Sequence, residues 1–331
     1  MVKNRGLPLQ SLRLEALLRR LPEHHAKKDQ IFQDLMKWQA GYRGERSVDY
    51  VLSEFVRTSS HYFALQDLRL QGERQRFFQM DTLLLSSQFG LILEVKNYQG
   101  TIHFDGNLQQ FRRVHNGKQE SFANPLLQVQ RQQVQLDHWL HRHHFPPLPI
   151  IPFVVLSSPY TTIAPSVSQS GLPKSLLRAE ALPQVLLELE QNSKHSWLSG
   201  GELAKLSSLL LHSHTPDSFS ILKRYKLTNH DIRAGVHCPS CQELPMFRRL
   251  YSGIWECRHC SFTSNRAYVE SLQDYSLLVN HTVTNGEARR FLGIECRKAM
   301  HYLLSQLKLK QEGNSRIRRY LLPPPHHVPR H

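Results

Sequence analysis

The segment FGLILEVKN, residues 89–97, combines the composition of an interior strand with two charged side chains. The run Leu91 to Val95 is apolar enough for a buried strand, yet Glu94 and Lys96 interrupt it. Because successive side chains on a strand alternate between its faces, Glu94 and Lys96 point the same way. The sequence therefore predicts a carboxylate and an ammonium group side by side at the edge of a core.

The preceding segment, FFQMDTLLL at residues 77–85, carries a third charged group within apolar surroundings. Only a short polar connection separates it from the first segment, so an antiparallel hairpin that brings Asp81 near Glu94 is expected. Two carboxylates supply the hard oxygen ligands that Mg²⁺ prefers, with waters and a substrate phosphate completing the octahedron. Lys96 would then hold or polarise an attacking water and offset charge developing on the phosphate.

Upstream, Glu45 lies on a predicted helix. Val48 and Leu52 follow helical spacing, and Glu45 falls on the same apolar stripe. A carboxylate on the buried face of what we interpret as a first helical turn has two explanations. It completes the metal shell, or it caps the helix and interacts with the helix dipole.

Downstream, Asn124-Pro125 is a helix-start signal, with Asn as the cap and Pro at the first helical position. The predicted helix, 126 to roughly 141, is rich in glutamine, and one face of it could meet a phosphate backbone or the water near Lys96. That face carries Gln128, Arg131, Gln132 and Gln135.

Residues from about 37 to 195 resemble the nuclease-related domain (NERD), a bacterial branch of the PD-(D/E)xK nuclease superfamily. The matching positions are Gly41, Gly44, Glu45, Asp81, Glu94, Lys96, Asn97, Gly100, Asn124, Pro125 and Gln128. The resemblance implies an α/β, restriction-endonuclease-like mixed sheet flanked by helices, Mg²⁺ or Mn²⁺ as cofactor, and phosphodiester hydrolysis in DNA. On that basis Asp81 and Glu94 are expected to bind the metal. Glu45 would be an accessory ligand, Lys96 would assist the nucleophile and Gln128 would position water or phosphate.

Two Cys-x2-Cys pairs, separated by 15 residues, form a second motif: Cys238, Cys241, Cys257 and Cys260. This spacing matches a four-cysteine zinc site, and the residues between the pairs read as two strands of a zinc ribbon. Two disulfides are the alternative, which a chain with no secretory signal makes improbable. Zn²⁺ would be structural, because four thiolates leave no open coordination position. The leftover Cys296 lies in a segment with apolar helical spacing, 288–309, and is expected to be a buried small hydrophobe.

Length and charge indicate a multidomain partner of nucleic acid. The 331 residues suggest two or three domains, and the absence of a leader or a long apolar run favours a soluble, cytoplasmic protein. The formal net charge is +15, and residues 218–331 hold 18 Lys and Arg against 8 Asp and Glu, which is +10 of the total. Basic residues beside aromatics suit phosphates and stacked bases, with DNA the favoured ligand, although a solvated basic face is the plainer alternative.

The expected domains are a helical extension at 1–36 packed on the nuclease-like part, the nuclease-related domain at 37–195, a linker with a short helix at 196–235, the zinc ribbon at 236–268, and a basic helical tail with a disordered end at 269–331. The favoured function is a metal-dependent nuclease acting on DNA. Its main rival is a binding module that keeps the nuclease fold without the chemistry. A structural scaffold built on the helical tail is a third hypothesis.

Overall fold

The computed structural model describes residues 3–58, 61–105, 110–164, 173–217, 219–249, 252–314 and 318–323. The chain divides into two compact units, one of residues 1–6 and 40–217 and the other of residues 7–39 and 218–331. The helices are α1 Leu9–Arg20, α2 Lys28–Thr58, α3 Pro125–Arg142, α4 Leu182–Asn192, α5 Gly200–Ser213, α6 Ile221–Arg224, α7 Ala267–Leu278, α8 Asn285–Leu292 and α9 Arg297–Gln306, with short 3₁₀ turns at Glu73–Gln75 and Ala179–Ala181.

The strands of the first unit are β1 Phe63–Gln71, β2 Phe77–Leu85, β3 Gly90–Lys96, β4 Gly100–Asp105, β5 Gln110–His115, β6 Lys118–Phe122, β7 Ile150–Leu156, β8 Thr161–Ala164 and β9 Leu176–Arg178. Five of them form a sheet in the order β1-β2-β3-β7-β9, antiparallel from β1 to β3 and parallel from β3 to β9. The predicted mixed sheet and the hairpin of β2 and β3 are therefore confirmed.

Helices cover both faces of this sheet, as predicted. Leucines of α3 and α5 pack on one face with Leu68 and Ile92. Val48 of α2 and residues of α4 pack on the other face with Leu91 and Leu93. The alternation along β3 thus assigns Ile92 to the α3 side, and Glu94 and Lys96 follow it there.

A second sheet of the first unit has the order β6-β5-β4-β8. It begins at Gly100, which has φ +90°, and a Cβ there would lie 2.4 Å from the carbonyl oxygen of Val114. Only glycine tolerates both this conformation and this approach, so the glycine after Asn97 is required by the turn from β3 into β4.

In the second unit, α1 packs against α7, and its residues Leu14 and Leu17 lie in one core with Leu272. Arg20 at the end of α1 is fully buried, and its Nε donates to Asp274 Oδ2 at 2.8 Å. The predicted N-terminal helix is thus present as α1, and the structure places its apolar face in the core of the second unit. An amphipathic pattern predicts such a helix but carries no information about which core covers its apolar face.

The second unit also contains β10 Phe247–Arg248, β11 Trp255–Glu256, β12 Thr263–Ser264, β13 Thr282–Thr284, β14 Gln311–Glu312 and β15 Arg319–Leu321. The expected ribbon hairpin is present as the antiparallel pair β10 and β11, to which β12 adds a third strand. Strands β13, β15 and β14 form another small sheet, so the region expected to be a helical tail is not wholly helical. The expected disordered end falls on residues 324–331, which lie outside the described residues.

The short helix expected within residues 196–235 is α5, and its Leu206 and Leu210 are fully buried in the core of the first unit. One further expectation, for residues 288–309, needs revision. The segment 288–309 is interrupted by Gly293 at φ +66°, and Cys296 beyond it is exposed at the start of α9, not buried. The Ala299 and Lys298 backbone N–H groups lower the pKa of this thiol. Within the described residues, no helix is both long enough and apolar enough to cross a membrane.

Candidate active site and cysteine cluster

The hairpin of β2 and β3 brings Asp81 to Glu94. Thr82 lies opposite Leu93 at the end of the paired ladder, and the adjoining Asp81 is close enough to Glu94 for the charge of that carboxylate to raise its pKa. The Val95 backbone N–H donates to Asp81 Oδ2 at 2.9 Å. No donor among the described residues binds Asp81 Oδ1, so one oxygen of this carboxylate is available to a ligand.

Glu94 is the most buried member of the site, with a side chain that is 3% exposed. Lys96 Nζ donates to its Oε1 at 2.6 Å, and Gln128 Nε2 donates to the same oxygen at 2.7 Å. Lys96 Nζ also donates to Gln128 Oε1 at 3.2 Å. The strand residues Glu94 and Lys96 are thus joined by a helix side chain that contacts both.

Gln128 reaches this position because α3 begins where the sequence predicted. The Asn124 side chain accepts from the Leu126 backbone N–H at 2.9 Å, and Pro125 is the first helical residue. One turn after Gln128, Gln132 is 5% exposed. Its Nε2 donates to Glu94 Oε2 at 2.8 Å and to the Gln79 carbonyl oxygen at 2.9 Å.

Gln132 was predicted to lie on the same helix face as Gln128, but no individual role in the site was assigned to it. That spacing was the signal that could have identified it. Its Oε1 is buried and has no hydrogen-bond partner in the structure. A buried acceptor without a partner is costly, and here it lies on the side chain that holds Glu94.

Glu45 is bound by an arginine that the sequence gave no reason to consider. Residue 3 pairs with β1 through two backbone hydrogen bonds of 3.0 Å, and this places Arg5 beside the site. Arg5 Nη1 lies 2.6 Å from Glu45 Oε2, and Arg5 Nε lies 2.8 Å from Asp49 Oδ2. Arg5 Nη2 also donates to the Asp81 carbonyl oxygen at 2.7 Å.

The alternative that Glu45 caps a helix is wrong. Helix α2 runs from Lys28 to Thr58, so Glu45 lies in its middle and not in its first turn. The helix also passes through Gly41 and Gly44.

Gly44 lets α2 approach the ends of β3 and β7. A Cβ at Gly44 would lie 2.5 Å from Ser157 Oγ and 2.6 Å from Asn97 Cβ. Asn97 Nδ2 donates to the Ala40 carbonyl oxygen at 2.7 Å and fixes the same contact. Nothing lies within 4 Å of a Cβ at Gly41, so only the second glycine is explained by packing.

The site concentrates negative charge. Burial, together with the charges of Glu94 and Glu45, raises the pKa of Asp81 well above its usual range. Burial also raises the pKa of Glu45, and the Arg5 charge only partly opposes it. Burial alone would lower the pKa of Lys96, but the Glu94 carboxylate outweighs it and raises that pKa. A cation between the carboxylates would relieve this repulsion.

The donor set suits a hard divalent cation. Asp81 and Glu94 provide carboxylate oxygens, which fit Mg²⁺ or Mn²⁺. The Glu45 carboxylate, expected as an accessory ligand, forms an ion pair with Arg5 in this structure. Among the described residues, the compact groups of three or more Asp, Glu, His or Cys ligands do not include these three carboxylates.

The four cysteines, in contrast, form a compact cluster in the second unit. The Sγ atoms of Cys238, Cys241, Cys257 and Cys260 all lie within 4.8 Å of one another. Cys238 and Cys260 are 3.6 Å apart at sulfur, and Cys241 and Cys257 are 3.5 Å apart. These separations exclude disulfides, which are about 2.05 Å long. They are near the roughly 3.8 Å expected between sulfurs bound tetrahedrally to zinc at about 2.3 Å. The cluster could therefore hold a zinc ion.

The mixed sheet and its charged hairpin define a nuclease-like α/β domain. The sequence model of one family, described as the nuclease-related domain (NERD), matches residues 40–157. The matched stretch contains Glu45, Asp81, Glu94, Lys96 and Gln128. No curated protein and no solved structure matches the chain.

Proposed function

We propose that the protein is a nuclease that hydrolyses phosphodiester bonds in DNA with Mg²⁺ or Mn²⁺. The observation that carries this proposal is the arrangement around Glu94. Its carboxylate contacts Lys96 and Gln128, and the backbone N–H of the next residue, Val95, donates to Asp81. Paired acidic groups beside a lysine, in a domain related to nucleases, suit phosphoryl chemistry better than any other reaction that these residues could support.

Asp81 and Glu94 would hold the cation, which supplies Lewis-acid stabilisation of charge at the phosphate. Lys96 keeps its proton at neutral pH because its pKa is raised, so it acts as a charged donor and not as a general base. As an ammonium it orients the attacking water and stabilises the charge that develops on the phosphate oxygens. Gln128 fixes Lys96 relative to Glu94, and Gln132 holds the second oxygen of Glu94.

Arg5 contributes by restraining the acidic wall of the site. It holds Glu45 and Asp49 and binds the backbone at Asp81, so it sets the position of β2 relative to α2. In this proposal the Glu45 carboxylate anchors Arg5 and does not serve as an accessory metal ligand.

A basic cavity in the same unit supports contact with nucleic acid. It measures about 530 Å³ and is lined by Arg74, Arg76 and Arg142 together with His138 and His141. Arginines that neutralise phosphates supply most of the affinity of nonspecific binding to DNA. The zinc ribbon and the basic C-terminal residues would add a second contact, with Zn²⁺ held by the four cysteines as a condition of folding. Reduced cysteines suit the cytoplasm, where we place the protein.

Cleavage of labelled single-stranded, duplex and branched DNA tests the proposal, with Mg²⁺ or Mn²⁺ added to the zinc-loaded protein. Lys96→Ala removes the proposed catalytic ammonium, and Lys118→Ala is the matched control, because Lys118 is an exposed lysine of the same unit. Metal-dependent cutting that Lys96→Ala abolishes and Lys118→Ala retains is expected. Cutting by Lys96→Ala at the wild-type rate would refute the assigned role.

A second candidate function is a nucleic-acid-binding module that keeps this fold without chemistry. One observation favours it: both oxygens of Glu94 accept hydrogen bonds from side chains, and Glu45 is paired with Arg5. Such a module predicts salt-sensitive DNA binding that survives Asp81→Ala and Lys96→Ala, with no cleavage by the wild-type protein on any substrate.

A further inference from the structure

A cavity of about 1180 Å³ opens in the second unit, between α8, α9 and the small sheet of β13, β15 and β14. Its walls are strongly basic. The cationic or titratable residues that line it are Arg289, Arg297, Lys298, His301, Arg318 and Arg319. Glu312 is the one carboxylate among its described lining residues.

Some of these cations are already engaged. Arg319 Nη2 lies 3.6 Å from Glu287 Oε1, and Arg289 Nη1 donates to the Glu295 carbonyl oxygen at 3.1 Å. Arg297, Lys298 and Arg318 form no ion pair with any described residue. Three positive charges therefore line the cavity without a direct ion pair to a described residue, against the single carboxylate of Glu312.

Two helix ends add to this field. Asn285 and Gly286, the first two residues of α8, line the cavity, as do Arg297 and Lys298, the first two residues of α9. Helix N-termini carry a partial positive charge. At α8 a capping box of Thr284 and Glu287 already satisfies the Glu287 N–H, and at α9 the Lys298 and Ala299 N–H groups face the Cys296 thiol. The cations and both dipoles thus act on the same space.

We propose that this cavity binds the phosphate backbone of a nucleic-acid strand. The proposal deepens, and rests on, the nucleic-acid-binding part of the proposed function. The cavity exceeds the roughly 300–1,000 Å³ of ordinary small-molecule sites, and six of its described lining residues are arginine, lysine or histidine. Several unpaired cations spread over one concave surface suit a ligand that presents successive phosphates.

The test compares two double variants of the full-length, zinc-loaded protein. Arg297→Gln with Lys298→Gln removes two exposed cations from the cavity. Lys223→Gln with Arg224→Gln removes two exposed cations of α6, which do not line the cavity, and so gives the same change in net charge. Arg318→Gln is a further single variant from the opposite wall. Zinc content and melting temperature establish that each variant is folded.

Binding of a fluorescent 20-nucleotide single strand is followed by anisotropy over a range of salt concentrations, with no Mg²⁺ or Mn²⁺ added. Each lost phosphate contact lowers the slope of log affinity against log salt by about 0.7 for a single strand. The cavity double variant is expected to lower that slope by about 1.4, which is about a 25-fold loss of affinity at 0.1 M salt. The α6 double variant should bind nearly as the wild type does.

Equal effects of the two double variants would overturn the proposal, because a general loss of charge would then explain the result. Competition by inorganic pyrophosphate as strong as that by an unlabelled strand would overturn it too, since the ligand would be a small anion. Cleavage is measured separately with Mn²⁺. If the cavity double variant binds DNA more weakly but no protein cleaves DNA, the phosphate-binding cavity is retained and the nuclease activity is rejected. If DNA is cleaved but the cavity double variant binds as the wild type does, the nuclease activity is retained and the cavity proposal is rejected.

Discussion

Gly44→Ala should destabilise the nuclease-related domain, although alanine is the better helix former. Within α2 the substitution by itself gains about 1 kcal/mol of helix propensity. The new methyl group would lie 2.5 Å from Ser157 Oγ and 2.6 Å from Asn97 Cβ. The hydroxyl can rotate, but a Cβ moves only with its backbone, and Asn97 directly follows β3. Overpacking of this kind costs about 1–3 kcal/mol.

Gly41→Ala, one turn earlier in the same helix, is the matched control, because nothing lies within 4 Å of its Cβ. It should be stabilising by up to about 1 kcal/mol. The free energies of unfolding of the two variants should therefore differ by about 1–3 kcal/mol. In a unit of this size each kcal/mol shifts the melting temperature by roughly 2–4 °C. Scanning calorimetry of the full chain measures the difference. Equal stabilisation by both alanines would refute the close approach of α2 to Asn97.

Three other substitutions or treatments have defined outcomes. The pKa of Asp81 is raised in the folded protein, so the folded state binds a proton more tightly than the unfolded state does. Protonation of Asp81 therefore stabilises the fold fully below the unfolded pKa of about 3.9, and this stabilisation is lost as the pH rises through the folded pKa. Asp81→Asn keeps an acceptor for the Val95 N–H but carries no charge. In thermal melts the variant should be stabilised relative to the wild type by more at pH 8 than at pH 5, and its cleavage of DNA should be lost. Arg5→Lys keeps the charge, but a lysine cannot bind Glu45 and Asp49 at the same time through a planar fork of donors. The free energy of unfolding, measured with urea, should therefore fall by about 1–3 kcal/mol. An unchanged urea midpoint would contradict the role of Arg5. Removal of zinc by a chelator should unfold the ribbon and expose Trp255, which is 4% exposed in the folded protein. A tryptophan fluorescence spectrum that does not change on metal removal would count against a structural zinc.

Local signals in the sequence predicted the elements that build the site. The apolar run that contains Glu94 and the short connection before it define the hairpin with Asp81, and the cap at Asn124 places Gln128 on the first turn of α3. These features depend on residues close together in sequence or on the alternation of a strand. They could be predicted because the physical cause of each lies within a few residues.

The parts that were missed depend on long-range packing. Arg5 reaches Glu45 across 40 residues, from a segment with no periodic pattern. The small sheet of the second unit is made of strands of two or three residues, which are too short to show alternation. The partner of α1 could not be predicted either, because an amphipathic stripe indicates that a face is buried but not which core covers it.

The most direct test of the central claim is the single-turnover rate of DNA cleavage as a function of Mn²⁺ concentration, for the wild type and for Glu94→Gln. Glutamine preserves the size of the side chain and one acceptor, for Lys96 and Gln128, and its NH2 group can donate to the unpartnered Gln132 Oε1 once that amide turns over, but it removes the charge that would bind the cation. A saturable dependence on Mn²⁺ in the wild type, lost in Glu94→Gln while DNA affinity is unchanged, is the expected result. Cleavage that is independent of Mn²⁺, or equally fast in Glu94→Gln, would contradict a metal-dependent nuclease site at Asp81 and Glu94.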